Sequence, residues 1–112
     1  AQEAHREVDP WEALLDSFIR ARVPKDWDEW PLNRRRDFWA GGINSTELEL
    51  VERRTFCYQE FLCERLDFRQ GSIEQRVSLR VGKIAPRVLP GWIRGWVYSS
   101  EYGKQRGYIK PD

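Results

Sequence analysis

The chain has 112 residues, with 19 Lys and Arg against 18 Asp and Glu, a length that suits one compact domain, or one plus an appended helix, able to bury a core without disulfides. No apolar run approaches membrane-spanning length and no signal peptide is visible, so the sequence reads as a soluble, cytoplasmic protein. Cys57 and Cys63 lie on different faces of a helical pattern, and with His5 the single histidine the ligands for a zinc site are missing; reduced thiols, no metal and no cofactor are expected.

Residues 1–8 are polar and mixed in charge and read as a linker or disordered segment. Asp9 as N-cap, Pro10 at the first helical position and Glu12 in the first turn then signal a helix carrying Trp11, Leu14, Leu15, Phe18 and Ile19 on one face. Val23-Pro24 ends it. Asp26-Trp27-Asp28-Glu29-Trp30 reads as a turn with two aromatic anchors, and Pro31 opens a second helix that holds Leu32, Phe38 and Trp39 inward until Gly41-Gly42 stops it. Arg34, Arg35 and Arg36 point about 100° apart on that helix, so they read as a solvated face with one arginine pairing a carboxylate. Residues 9–47 are therefore expected to form a two-helix N-terminal extension.

Residues 48–112 carry the pattern of a winged helix-turn-helix, which makes the expected class α+β, mostly α. Leu48, Leu50 and Phe56 bracket a short strand with Glu47, Glu49 and Glu52 outward, and Thr55 caps a helix over residues 56–66 with Tyr58, Phe61, Leu62 and Leu66 inward. After the turn Asp67-Phe68-Arg69-Gln70-Gly71, Ser72 reads as an N-cap and Gln75 completes a capping-box pattern. Ile73, Val77, Val81, Ile84 and Val88 form an apolar stripe, and Arg76, Arg80, Lys83 and Arg87 a positive one about a quarter turn away. Pro86 should weaken the helix near Ala85, which makes Arg87 the least secure of the four. Pro90-Gly91 leads into the β-rich segments Trp92 to Tyr98 and Gly107 to Ile109, joined through a loop that includes Ser99-Ser100-Glu101 and Gly103.

Charge is segregated along the chain: residues 71–112 carry eight Lys and Arg against three acids, residues 1–70 eleven against fifteen. A local positive patch is the footprint of a nucleic-acid binder. Catalytic signatures are missing: there is no phosphate-binding loop, no nucleophile elbow and no convincing carboxylate cluster, so the chain is not expected to be an enzyme. The expected DNA-binding residues are Arg76, Arg80, Lys83 and Arg87 at phosphates or groove edges, Ser72 and Gln75 at the helix N-terminus, and Lys104 and Arg106 on the wing. Among the hairpin aromatics, about half should pack inward; Tyr102, beside Gly103 in the loop, is the better candidate for stacking on a base.

The runs Val23-Pro24-Lys25-Asp26-Trp27, Arg34-Arg35-Arg36-Asp37-Phe38-Trp39-Ala40-Gly41 and Val51-Glu52-Arg53-Arg54-Thr55-Phe56-Cys57, closed by Pro90-Gly91-Trp92 and Tyr102-Gly103-Lys104-Gln105-Arg106-Gly107-Tyr108, resemble the C-terminal region of virulence-associated protein E-like proteins. Asp9-Pro10-Trp11 resembles the linker that follows their ATPase domain. The resemblance implies the C-terminal domain of a primase-helicase-like ATPase of bacteriophages and other mobile genetic elements, acting in DNA replication, with the ATPase motifs in an upstream domain. The domain would hold or load the helicase on DNA. The alternative is a protein-docking module within the helicase assembly, favoured if Trp11, Leu14 and Phe18 were exposed and covered by the ATPase domain or a second copy of the chain.

Overall fold

The computed structural model describes residues 8–111; the segment expected as a linker falls, apart from Val8, outside them. Helix α1 (Pro10–Arg20) starts at the expected cap, where Asp9 accepts the backbone N–H of Trp11 at 2.9 Å. Strand β1 (Val23–Pro24) follows, then a single 3-10 turn (Trp27–Glu29) and helix α2 (Leu32–Trp39). Gly41, at φ +82°, ends that stretch, a backbone state that glycine adopts without a Cβ penalty. Strand β2 (Leu50–Val51) returns antiparallel to β1. Val23, Trp27 and Trp30 are buried here against Phe38, Trp39 and Leu48, so both aromatic anchors of the 26–30 turn do anchor it.

The strand expected between Leu48 and Phe56 is two strands in different sheets. After β2 the chain crosses into β3 (Thr55–Cys57), which pairs antiparallel with β5 (Gly103–Ile109), and β5 pairs antiparallel with β4 (Ile93–Ser99), giving the order β3-β5-β4. Thr55 is therefore not a helix cap. Phe56 sits opposite Tyr108, both in the core, and that burial holds residues 55–57 extended. Helix α3 (Tyr58–Glu60) begins at Cys57, whose backbone N–H donates to Glu60 Oε1 at 3.2 Å, and continues as wider π turns over Phe61–Arg65.

Helix α4 (Gln75–Val88) starts later than its sequence signal. Ser72 closes a 3-10 turn (Gln70–Ser72), and Glu74 takes the cap position without a side-chain bond. Ile73 packs against two parts of the core in an extended conformation, which delays the first helical turn. Pro86 does not end the helix. Val81, Ile84, Ala85 and Leu89 are buried on both sides of it, and this packing holds the last turn despite the missing N–H.

The main core joins Leu15, Phe18 and Ile19 of α1 to Phe56, Phe61, Leu62, Val81, Ile84, Ala85 and Tyr108. It runs across residues 47 and 48 rather than dividing there. A Cβ on Gly107 would overlap the backbone carbonyl of Phe56, so only glycine lets β3 approach β5 this closely. The described residues form an α+β domain of four helices and two small antiparallel sheets. None of the helices among the described residues is long and apolar enough to cross a membrane.

Candidate nucleic-acid interface

The positive stripe of α4 is split by its neighbours. Arg80 turns toward α1, where Nε and Nη2 donate to the two carboxylate oxygens of Asp9 at 2.7 and 2.6 Å, and its guanidinium lies 3.7 Å from the centroid of the Trp11 ring. The hydrogen bond from Arg80 holds the Asp9 carboxyl below its ordinary range. Arg87 pairs with Glu12 at 3.3 Å, also across to α1, and Arg76 contacts Glu74 at 3.3 Å while staying widely exposed. Lys83 faces the other way.

On that other side a groove of about 480 Å³ separates α4 from β4, lined by Gln75, Ser78, Leu79, Gly82 and Lys83 on the helix and by Tyr58 and Arg94 opposite. Gly82 lies at its base, where a Cβ would come into ordinary contact with Tyr58 Oη at 3.4 Å. Burial and a hydrogen bond with Tyr108 push the Tyr58 phenol up to about 12.

Arg94 also begins an exposed row. Side chains alternate along a strand, so Arg94, Trp96 and Tyr98 share one face of β4 while Val97 and Ser99 are buried on the other. Trp96 is 56% and Tyr98 68% exposed. Arg106 is the cross-strand partner of Trp96, and Lys104 that of Tyr98. Lys104 Nζ and Arg106 Cζ lie 5.0 and 5.2 Å from the Trp96 ring centroid. Among the described residues, no carboxylate pairs with Lys83, Arg94, Lys104 or Arg106.

Tyr102 is not a stacking residue. It is 6% exposed and its hydroxyl donates to Glu64 at 2.7 Å. The hairpin turn is tight, with Ser99 Oγ accepting the Tyr102 N–H and Gly103 at φ +70°, and this draws the ring inward. Ser72 and Gln75 are exposed, Gln75 at the end of the groove. Trp11, Leu14 and Phe18 pack on the chain's own core.

Sequence reasoning missed the polar centre beneath α2. Arg35 is wholly buried, not on a solvated face: Nη1 donates to Glu60 at 3.2 Å and Glu64 at 2.8 Å, Nε to the Trp30 carbonyl, and Nη2 to the Trp27 carbonyl. Arg53 donates to Glu60 at 2.8 Å, and Glu64 also accepts from Trp39 Nε1. Burial, with the charge of Glu60 adding to it, pushes the Glu64 carboxyl up. Among the described residues Arg53 Nε and Nη2 meet no hydrogen-bond acceptor, and the guanidinium lies 4.7 Å from the Phe18 ring centroid, whose negative face compensates in part. Arg36 donates to the Cys63 carbonyl and pairs with Asp67. Glu60 and Glu64, four apart beside the apolar Phe61 and Leu62, are the one local hint of this centre.

The cysteines are free and buried. Burial raises both thiols, that of Cys63 to about 11 and that of Cys57 further, which makes them inert packing groups. In comparison with known proteins, no family model matches this chain and no curated protein matches it.

Proposed function

We propose that the chain is a winged-helix DNA-binding domain of a cytoplasmic replication protein. The order helix, strand, two helices and hairpin, with the last strand central in its sheet, follows the winged-helix plan if α1 is its first helix and residues 21–54 are an insertion. Following the resemblance to virulence-associated protein E-like proteins, the domain holds or loads a mobile-element primase-helicase-like ATPase on DNA, and that ATPase domain lies upstream.

One observation carries the DNA reading: Lys83 and Arg94 line the groove, Arg106 and Lys104 continue the same face along the hairpin, and among the described residues no carboxylate pairs with any of the four, whereas Arg35, Arg53 and Arg80 are each held by an acid. Phosphate supplies the missing counter-charge. With Arg76 the footprint is five cations; Arg80 and Arg87 leave it because α1 already neutralises them. If all five touch phosphate, binding falls with salt at a log–log slope of roughly −4.5 on duplex and −3.5 on single strands. Fluorescence anisotropy of labelled DNA at two salt concentrations, beside a Lys83→Ala/Arg94→Ala/Arg106→Ala variant, is the test. Salt-sensitive binding lost in the variant is expected. Absence of binding to every DNA form at low salt, or equal binding by the variant, refutes the proposal.

A further inference from the structure

We propose that the DNA taken by this face is single-stranded, with successive bases stacked on Trp96 and Tyr98. The inference rests on the DNA reading above and adds the form of the ligand. Trp96 and Tyr98 leave 56% and 68% of their surface to solvent, whereas Trp27, Trp30 and Tyr102 are buried. An exposed aromatic ring with cations beside it matches a nucleotide, which presents an aromatic face and a phosphate together.

The register adds a length. Trp96 faces Arg106 and Tyr98 faces Lys104 across the ladder, so the hairpin repeats one unit, an aromatic with a cation opposite, every two residues. Two residues along a strand advance about 6.6 Å, while bases in a duplex are stacked about 3.4 Å apart per strand. Rings at twice the stacking distance can each receive a base face only where the bases are unstacked from one another. Duplex DNA also shows a protein its edges and phosphates, not its base faces. Beyond Trp96 the same strand face continues to Arg94 and the groove, where Lys83 stands opposite, so the phosphate track extends past the stacking rings.

The test compares labelled oligo-dT with a mixed-sequence duplex on the wild-type chain and on Trp96→Ala, Trp96→Phe and the triple basic variant, with thermal melting to show that each is folded. Oligo-dT is expected to bind more tightly than duplex, Trp96→Ala to lose about tenfold on oligo-dT and far less on duplex, and Trp96→Phe to recover most of the loss. Tryptophan quenching by oligo-dT should shrink in Trp96→Phe. Duplex binding as tight as oligo-dT binding, or Trp96→Ala acting equally on both, overturns the single-strand inference; if the triple basic variant still weakens binding, the DNA reading survives. No binding to either form at low salt overturns both.

Discussion

Beneath α2, Arg35 lies 4.6 Å from the Trp27 ring centroid and Arg53 4.7 Å from that of Phe18; on the hairpin, Lys104 and Arg106 lie 5.0 and 5.2 Å from that of Trp96. The cation and ring chemistry is the same in both places, and the acids differ. Glu60 and Glu64 reach Arg35 and Arg53 inside, and among the described residues no carboxylate reaches Lys104 or Arg106 outside. A buried ion pair adds little net stability yet is costly to break, because the remaining partner is left charged in a poor solvent. An exposed cation on a ring is cheap to leave alone and available to a ligand. Arg80 stands between these cases, half-exposed on the flank of a helix that packs on the core, and closed by Asp9.

The comparison breaks most severely at Arg35. Arg35→Ala leaves Glu60 with Arg53 and Glu64 with no cation, and should cost about 3–5 kcal/mol, a large part of the ~5–15 kcal/mol expected for a whole domain. Arg35→Lys should not restore it, since an ammonium cannot span two carboxylates and two carbonyls. Chemical denaturation measures this, and a loss below about 1 kcal/mol would show the centre to be solvated.

Tyr102→Phe is the next largest. It removes a donor from buried Glu64 and should cost about 1.5–3 kcal/mol, while DNA affinity stays unchanged. Loss of affinity with stability retained would instead return Tyr102 to the binding face.

Asp9→Ala is the smallest change in stability and converts a closed arginine into an open one. Losing the cap should cost about 1 kcal/mol, and Arg80, released, should tighten DNA binding severalfold and steepen its salt dependence by about one unit. The same pair has a pH signature. Asp9 has a folded pKa held below the ordinary aspartate value of 3.8 by Arg80, so its contribution is present above that value and lost as pH falls through the lowered one. Acid melts of the wild type and Asp9→Ala should therefore converge at low pH. Parallel curves would mean that Asp9 acts only through its backbone geometry.

Legibility in the sequence followed the range of the interaction. The start of α1 at Asp9-Pro10 and the stop at Gly41 were readable because caps and left-handed turns are settled within a few residues. Ser72 misled for the same reason: its capping pattern is local, and the competing burial of Ile73 is not. Tyr102 sits in a loop beside a glycine, where exposure is the ordinary expectation, and only the tight turn and Glu64 draw it in. Arg94 and Trp96 could have been found by applying strict alternation to β4.

The sequence by itself determined the elements with strong periodicity: the apolar stripe of α4, the alternating hairpin with Gly103 at its turn, and the segregation of positive charge toward the second half. Tertiary structure alone decided which of those charges is free. Arg80 meets Asp9 across 71 positions of sequence and Arg87 meets Glu12 across 75, while Lys83, a neighbour on the same stripe, faces a groove with no acid. Helical periodicity sets the direction in which a charge points, but neutralisation depends on distance through space, and the packing of α1 on one side of α4 sets that distance.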